Sequence, residues 1–301
     1  MKLAVTGATG FVGGRLLDCA TAGGHEVRAL TRRAMRPRVR VEWVEGSLED
    51  REALDELAAG AQAVIHLAGV LKAPSAAAFD ECNVGGTERV IAAAKNAGVS
   101  RFVHVSSLAA REPQLSMYGA SKARSEAVVE ASGLSWAIVR PPAVYGPGDK
   151  ETLDLFRMAT LGLVLLPPKG RLSLIHADDL ARLLLRLADP STPNGLLIEP
   201  DDGRAGGWSH REFAVELGRA VGRRGVALSM PSGLLRAAAR IDQMVRRGGA
   251  KLTTDRAAYF CHPDWVADPA GAAPPGLWSP KVSTPEGLAA TYQWYKHQEW
   301  L

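Results

Sequence analysis

The chain has 301 residues, of which 47% are hydrophobic and 23% charged, a balance typical of a folded globular protein rather than a disordered one. Its formal net charge of +4 comes largely from two arginine-rich stretches, residues 32–40 and 236–247. Neither stretch interleaves aromatic and basic residues as a nucleic-acid-binding surface does, so we expect no nucleic-acid partner. We interpret the second stretch as a solvated helix face.

Three isolated cysteines, Cys19, Cys82 and Cys261, form no Cys-x-x-Cys pair and accompany no histidine cluster at metal-ligand spacing. This pattern predicts no metal site and favours a reducing compartment. The apolar start of the chain is too short for a signal peptide, and the longest strongly apolar stretch elsewhere, residues 161–166, is far below the roughly 18 residues of a membrane span. We therefore expect a soluble, cytoplasmic protein without a transmembrane segment.

Short aliphatic stretches alternate with longer helical patterns through the first half of the chain. The predicted strands are residues 3–6, 27–31, 41–45, 63–67, 101–106 and 136–140, and the predicted helices are residues 11–22, 50–59, 76–97 and 118–131. The strands are apolar without strict alternation, as expected when helices cover both faces of a sheet. This order predicts an α/β fold with a doubly wound parallel sheet.

The pattern changes after Arg140, where Pro141-Pro142 and a Gly-Pro-Gly turn interrupt short segments. Further helices are predicted at residues 177–188, 209–221, 232–245 and 285–294. We expect residues 1–170 to form a nucleotide-binding domain to which a helix at 177–189 returns. Residues 171–301 are expected to form mainly a smaller, C-terminal substrate-binding lobe.

Three glycines, Gly7, Gly10 and Gly13, occupy the junction between the first predicted strand and the first predicted helix. A backbone that turns tightly there and approaches a pyrophosphate leaves no room for side chains. The helix that begins near Phe11 would also direct free N–H groups and a partial positive charge at the phosphates. Because a strand precedes the turn and a helix follows it, the motif predicts a dinucleotide site on a Rossmann sheet.

The end of the second predicted strand bears on which dinucleotide is bound. NAD-binding proteins of this type place an acidic residue there to accept a hydrogen bond from the ribose 2′-hydroxyl. This chain has Thr31, Arg32 and Arg33 instead, and guanidinium groups suit a 2′-phosphate. NADP is therefore predicted as the cofactor, with NAD as the alternative if these arginines only cap a solvated loop.

Tyr118 and Lys122 lie four residues apart, and hence on one face of a helix that follows the fifth predicted strand. A free tyrosine has a pKa near 10, so we expect the Lys122 ammonium and an oxidised nicotinamide to lower the pKa of Tyr118. Tyr118 could then exchange a proton with a carbonyl or alcohol oxygen as hydride moves. Ser107, at the end of the same strand, would hydrogen-bond that oxygen.

At this point the sequence resembles the short-chain dehydrogenase/reductase superfamily, in particular its extended and atypical branches, the NAD(P)-dependent epimerase/dehydratase-like proteins. The resemblance covers most of residues 1–190 and rests on Thr6-Gly7-Ala8-Thr9-Gly10-Phe11-Val12-Gly13, Gly46-Ser47-Leu48, His66-Leu67-Ala68-Gly69, Val105-Ser106-Ser107, Tyr118-Gly119-Ala120-Ser121-Lys122, Arg140-Pro141-Pro142-Ala143-Val144-Tyr145-Gly146 and Ile175-His176-Ala177-Asp178-Asp179.

The resemblance implies that Ser107, Tyr118 and Lys122 form the catalytic set. It also implies a cofactor-binding set, with Gly7, Thr9, Gly10, Phe11 and Val12 at the pyrophosphate, Ser47 and Leu48 at the adenine, Leu67, Ala68 and Gly69 on the ribose side, Lys122 on the nicotinamide ribose, and Pro141 and Val144 near the carboxamide. His66 and His104 are interpreted as core histidines, and Asn83 as a structural residue.

Two departures from the family pattern bear on function. Ser47 stands where many relatives carry Asp, which alters the adenine contact, and Ala143 stands where sugar-nucleotide members carry Asn. The function predicted is therefore an NADP-dependent oxidoreductase, a reductase or dehydrogenase that acts on a carbonyl or secondary alcohol of a mainly apolar small molecule. The alternatives are a nucleotide-sugar epimerase or dehydratase with tightly bound NAD, and a non-catalytic NAD(P)-binding subunit. The expected state is a monomer or homodimer.

Overall fold

The computed structural model describes residues 1–246 and 252–301, so Arg247 of the second arginine-rich stretch lies outside the described residues. Strands and helices alternate through the first half. The strands there are β1 (Lys2–Thr6), β2 (Glu26–Thr31), β3 (Val41–Glu45), β4 (Ala63–His66), β5 (Arg101–Val105) and β6 (Ser135–Val139). The helices are α1 (Phe11–Ala22), α2 (Arg51–Ala58), α3 (Ala76–Asp80), α4 (Gly86–Asn96) and α5 (Met117–Glu130).

These six strands and β11 (Leu196–Ile198) form a seven-stranded sheet in the order β11-β6-β5-β4-β1-β2-β3. Every neighbouring pair is parallel. The predicted doubly wound parallel sheet is therefore confirmed. Because the strand order reverses between β1 and β4, a crevice opens at the carboxyl ends of these two strands, where ligands bind in sheets of this kind.

The predicted helix at residues 76–97 is interrupted in the structure. A π-helical turn, Glu81–Gly85, separates α3 from α4. The turn widens the helix around Asn83, whose side chain is buried and hydrogen-bonded to the loop after β4. The alanine-rich sequence does not reveal this interruption, because its many small side chains mask the one-residue shift that a π turn introduces.

The chain divides into two compact units. The first contains Met1–Pro141, Leu180–Glu199 and Ala273–Trp278, and the second contains Pro142–Asp179, Pro200–Ala272 and Ser279–Leu301. The boundary after Pro141 differs from the expected boundary at residue 170. The reason is that β7 (Ala143–Tyr145) pairs with β10 (Leu174–His176) rather than with the large sheet.

The second unit consists of short strands and helices around its own core. Its other strands are β8 (Leu163–Leu166), β9 (Arg171–Leu172), β12 (Trp208–Ser209), β13 (Val226–Ser229) and β14 (Asp264–Trp265). Its helices are α6 (Leu153–Thr160), α8 (His210–Ala220), α9 (Ser232–Arg246), α10 (Thr254–Phe260) and α11 (Thr284–His297), and α7 (Ala177–Leu187) spans the boundary of the units. Tyr145, Phe156 and Tyr295 are fully buried in this core. Among the described residues, no helix is long and apolar enough to cross a membrane.

A buried ion cluster lies in the first unit between α5 and the ends of β6 and β11. Arg140 Nη2 donates to Glu126 Oε2 at 2.7 Å, and Arg140 Nη1 lies 3.4 Å from Glu199 Oε1. The Ser106 hydroxyl donates to Glu126 as well. The Glu126 and Glu199 side chains are 5% and 3% exposed, so water contributes little to their solvation. The hydrogen bond to Glu126 raises the pKa of Arg140. The cluster therefore joins α5 to the sheet by charge as well as by packing.

We expect Glu126→Gln to lower the free energy of unfolding by about 3 kcal/mol, because it leaves a buried guanidinium without one of its two carboxylates. The matched control is Asp154→Asn, which breaks the Asp154–Arg157 pair, whose side chains are 63% and 54% exposed. That loss should stay below about 1 kcal/mol. Urea unfolding measures both values, and equal losses would contradict the role given to the buried cluster.

Candidate active site

The glycine turn after β1 is held in close contact with the loop after β4. Gly7 has a φ of 72°, and a Cβ atom placed there would lie 2.7 Å from the backbone nitrogen of Ala68. A Cβ at Gly13 would lie 2.2 Å from the Gly7 carbonyl oxygen. Both contacts involve backbone atoms that cannot move aside, so only glycine fits these two positions. The turn therefore lies against the crevice at the sheet's reversal point.

The amino terminus of α1 opens at this turn. The first helical hydrogen bond runs from the Gly14 amide to the Gly10 carbonyl at 2.8 Å, so the amides of Phe11, Val12 and Gly13 precede it. Gly10 is the N-cap, and no side chain in the described part of the chain caps this helix. Thr9 and Gly10 are exposed. The turn thus leaves backbone donors and the positive end of the helix dipole facing outward, as a phosphate site requires.

A chain of directed hydrogen bonds lies beneath the turn. The Ala68 amide donates to Thr6 Oγ1 at 3.2 Å, and Thr6 Oγ1 lies 2.6 Å from His66 Nδ1. His66 Nε2 lies 3.1 Å from Thr87 Oγ1, whose hydroxyl donates to the Asn83 carbonyl at 2.7 Å. Because the Thr87 proton is used on Asn83, Thr87 accepts from His66, which is then neutral with its proton on Nε2. Burial, with the Lys122 charge, lowers the pKa of His66 to about 3. His66 is thus a hydrogen-bonded core histidine, as the sequence predicts.

Asn83 extends this connection to the catalytic helix predicted from the sequence. Its Oδ1 accepts from the Val70 amide at 2.8 Å, and its Nδ2 donates to Ser121 Oγ at 2.9 Å. The Ser121 hydroxyl donates in turn to the Tyr118 carbonyl at 2.8 Å. These contacts agree with the interpretation of Asn83 as a structural residue, and they show that its side chain positions both the loop after β4 and the first turn of α5. In the sequence, the one sign of this role is an asparagine within an otherwise mainly apolar helical pattern, since a buried amide needs hydrogen-bond partners.

The helix α5 places Tyr118 and Lys122 beside Ser107. Ser116 caps α5 by accepting from the Gly119 amide at 2.9 Å. A Cβ at Gly119 would lie 2.5 Å from the Ala109 carbonyl oxygen, so this helix start packs directly on the short 3₁₀ helix that follows Ser107. The side chains of Ser107 and Tyr118 are hydrogen-bonded. The structure therefore places Ser107 against Tyr118, with Lys122 one turn further along α5.

The electrostatics of this cluster differ from the expectation for Tyr118. Burial raises the pKa of Tyr118, and the hydrogen bond from Ser107 only partly opposes that rise. Burial lowers the pKa of Lys122 to about 8, against the attraction of Glu126, and Lys122 Nζ donates to the Val105 carbonyl at 2.8 Å. The expected lowering of the Tyr118 pKa is therefore wrong for the protein alone, because desolvation of the phenolate outweighs the hydrogen bond with Ser107.

Other residues predicted to bind the cofactor lie in the loops after β3 and β4. Leu67 and Ala68 form the backbone that contacts Gly7, and a Cβ at Gly69 would lie 3.9 Å from Lys122 Nζ. The Ser47 hydroxyl accepts from the Glu49 amide at 3.1 Å, and the Leu48 carbonyl accepts from Arg89 Nε at 2.7 Å. These two residues follow β3 in the turn that leads into α2.

The last predicted contacts, Pro141 and Val144, belong to different units. Pro141 ends a segment of the first unit, and its carbonyl accepts from the Leu108 amide at 3.1 Å. Val144 lies in β7 of the second unit, opposite Ile175. Their predicted place beside one nicotinamide remains an expectation.

The arginines after β2 separate into two groups. Arg38 Nη2 pairs with Asp18 at 2.6 Å, and Arg40 Nη1 donates to the Gly24 carbonyl at 3.0 Å. Arg32 and Arg33 are exposed, and neither side chain has a hydrogen-bond or ion-pair partner within residues 1–246 and 252–301. Thr31 holds the turn by donating its hydroxyl to the Arg33 carbonyl at 2.8 Å. Arg32 and Arg33 therefore keep guanidinium groups that the fold does not use.

Comparison with known proteins agrees with this geometry. Ceramide reductase from Caulobacter vibrioides is 38% identical over 308 aligned positions, which cover 99% of this chain and 96% of that protein. A 4-hydroxy-2-methyl-3-oxo-4-farnesyl-3,4-dihydroquinoline-1-oxide ketoreductase from Stigmatella aurantiaca is 35% identical over 51% of this chain and 53% of its own length. The solved UDP-glucose 4-epimerase from Thermotoga maritima has a TM-score of 0.74 at 20% identity, covering 99% of this chain and 100% of that one, and shows the fold alone.

The fold and the reductase relatives define an NAD(P)-dependent oxidoreductase of the short-chain dehydrogenase/reductase type. A family model described as the NAD dependent epimerase/dehydratase family matches residues 3–195, and the chain belongs to that family.

We expect the buried neutral His66 to make the protein sensitive to acid. Its pKa in the folded state, about 3, lies below the ordinary value of 6.5. The unfolded chain therefore binds the proton more tightly, and stability is lost as the pH falls from about 6.5 towards about 3. We would measure the free energy of unfolding in urea between about pH 6.5 and pH 5. His66→Gln should reduce its dependence on pH by up to about 1.4 kcal/mol per pH unit. His297→Gln on the exposed side of α11 is the control, and an unchanged slope in His66→Gln would contradict the assignment.

Proposed function

We propose that this protein is an NADPH-dependent reductase of a ketone on a ceramide-class lipid, that is, an N-acylated long-chain amino alcohol. The observation that carries the proposal is the Ser107–Tyr118–Lys122 cluster beside the glycine turn. The lipid class is supported by the ceramide reductase relative, which matches over nearly the whole length of both chains. An amide resists hydride, so the group reduced on such a lipid is a ketone.

The crevice residues fit a dinucleotide. The close contacts at Gly7 and Gly13 leave a cradle without side chains, and the first amides of α1 open into it. In the proposal, Gly7, Thr9, Gly10, Phe11 and Val12 hold the pyrophosphate, as the family resemblance implies. When bound, the reduced nicotinamide supplies the hydride. Leu67, Ala68, Gly69, Pro141 and Val144 would border the nicotinamide half, and Ser47 and Leu48 the adenine.

Protein groups then supply the proton. Hydride adds to the carbonyl carbon while the Tyr118 phenol gives its proton to the carbonyl oxygen, which yields a secondary alcohol. The raised pKa of Tyr118 keeps the phenol protonated at neutral pH, which suits the direction of reduction. Ser107 would hydrogen-bond the same oxygen and stabilise charge that develops on it. Lys122, with a pKa of about 8, would hold the nicotinamide ribose and favour return of a proton to the phenolate.

The competing functions have less support. A nucleotide-sugar epimerase would carry Asn where this chain has Ala143, which is an exposed residue of β7. A non-catalytic subunit would have no need of a buried lysine whose ammonium is desolvated next to a hydrogen-bonded Ser–Tyr pair. The finer choice of NADP over NAD rests on the two unpartnered guanidiniums after β2.

The first test uses Tyr118→Phe with NADPH and a ceramide whose secondary alcohol has been oxidised to a ketone. We expect kcat to fall by about 10²- to 10⁴-fold, because the proton donor is removed while the ring remains. NADPH binding, followed by fluorescence, should not change. Tyr292→Phe, a half-buried tyrosine of α11, is the matched control and should keep full activity.

Two outcomes of this test count against the proposal. Unchanged turnover in Tyr118→Phe would remove the assigned proton donor. Epimerisation of a UDP-sugar by the unaltered protein, without reduction of the ketone, would favour the epimerase function instead.

The second test concerns the cofactor. Arg32→Ala and Arg33→Ala should each raise the KM for NADPH about 10- to 100-fold, since a charge-assisted bond to the 2′-phosphate is worth about 1.5–3 kcal/mol. The KM for NADH should stay the same. Arg51→Ala, whose side chain is 84% exposed on α2, is the control. Equal KM values for NADPH and NADH in the unaltered protein would contradict the assignment to Arg32 and Arg33.

A further inference from the structure

The outer surface of one small sheet in the second unit is apolar. Strands β8 and β13 pair in parallel, with Leu163 opposite Val226 and Leu165 opposite Leu228. These four side chains are 41–49% exposed, whereas Val164 and Leu166, which alternate with the leucines of β8, are buried in the core. A sheet with one face in the core normally carries polar residues on the other. The solvent-facing side of this sheet is therefore apolar, although polar residues are usual there.

The helix that follows carries a second exposed apolar surface. Only Met230 and Pro231 separate β13 from α9. On α9, Leu234, Ile241, Met244 and Val245 recur at helical spacing and are 61–79% exposed. The opposite side of α9 is also apolar, because Leu235 and Ala239 are buried against Ala257 of α10. The helix thus has one apolar side that packs in the fold and another that does not.

We define the apolar face as Leu163, Leu165, Val226, Leu228, Leu234, Ile241, Met244 and Val245. These eight residues account for most of the exposed large hydrophobic side chains in the described part of the chain. Monomeric soluble proteins rarely leave such side chains grouped together without a partner.

Arginines lie on α9 and in a cavity beside β13. Arg236 and Arg240 project from α9 and are exposed, and neither pairs with a carboxylate in the described residues. A cavity of about 790 Å³ adjoins β13, and Val226 belongs both to its lining and to the apolar face. Its lining includes five cationic side chains and, among the described residues, no acidic one. The five are Lys169, Arg211, Arg219, Arg223 and Arg224.

We propose that the apolar face binds the surface of an anionic lipid bilayer, with lipid phosphates at the cationic cavity and at Arg236 and Arg240. Apolar side chains bordered by arginines are the arrangement by which a helix lies in the headgroup region, with its apolar side at the acyl boundary. Cations near an anionic leaflet are attracted to its negative surface potential. No described helix could cross the membrane, so the binding is to its surface. The inference goes beyond the proposed reduction and does not depend on it.

A second copy of the chain fits this face less well. In a twofold dimer the same patch lies on both partners, so the arginines near it would add like charge to both sides of the interface. Like charges at an interface oppose association, whereas lipid phosphates neutralise them. Charge complementarity therefore favours the bilayer.

The test is sedimentation of the purified full chain with vesicles of phosphatidylcholine alone or of phosphatidylcholine with phosphatidylglycerol. We expect binding to the anionic vesicles only, and weaker binding at high salt. Ile241→Ser with Met244→Ser should lower the partition coefficient at least about tenfold, since it removes apolar groups from the acyl boundary. Arg236→Glu with Arg240→Glu should weaken the preference for anionic vesicles, because the cations of the cavity remain.

Two matched controls lie in the first unit. Val39→Ser changes an apolar side chain that is 82% exposed, and Arg51→Glu reverses a charge that is 84% exposed. Both should bind as the unaltered protein does, and urea unfolding of every variant checks that it is folded. The proposal is overturned if no vesicle binds, or if the α9 variants bind as well as the controls. It is also overturned if light scattering finds a dimer that Ile241→Ser dissociates while vesicles do not bind.

Discussion

The hydrogen-bond chain from Ala68 through Thr6, His66 and Thr87 to Asn83 is the interaction on which the site depends. The three side chains within it each donate and accept, between a backbone amide that donates and a carbonyl that accepts, so the chain has one polarity and requires a neutral histidine. At one end it fixes the loop that the glycine turn contacts. At the other end, the Asn83 side-chain amide donates to Ser121 Oγ, and the Ser121 hydroxyl donates to the Tyr118 carbonyl in the first turn of α5. The phosphate turn and the proton donor are thereby held by one buried network.

Burial shifts the pKa values of Tyr118 and Lys122 in opposite directions. The site removes both from water, and desolvation acts in opposite senses on an acid and a base. The phenol is held in its protonated form while the ammonium is brought close to its neutral form. The protein alone favours a protonated tyrosine. A bound, oxidised nicotinamide would lower both pKa values, because its positive charge opposes the effect of burial on the phenol and adds to it on the ammonium. The buried carboxylate of Glu126 counterbalances this by keeping the lysine from losing its charge altogether.

The sequence alone predicts the elements and site residues that depend on local patterns. The six main strands, the helix after the glycine turn and the Tyr118–Lys122 spacing all follow from apolar runs, glycine positions and helical periodicity. The strand Leu196–Ile198 was not predicted, because three residues become a strand only when β6 offers a partner. The short strands of the second unit were missed for the same reason. The rise in the Tyr118 pKa depends on burial by distant segments, which spacing along the chain does not report.

The π-helical turn between α3 and α4 has a consequence for tolerance to insertion and deletion. Such a turn contains one residue more than the α-helix it interrupts, and that residue rotates everything beyond it by about 100°. Removal of one residue between Glu81 and Gly85 would restore a regular helix while turning Asn83 or Thr87 away from its partners. The geometry of the site therefore depends on the number of residues in this segment as well as on their identity, and length variation is better tolerated in surface loops.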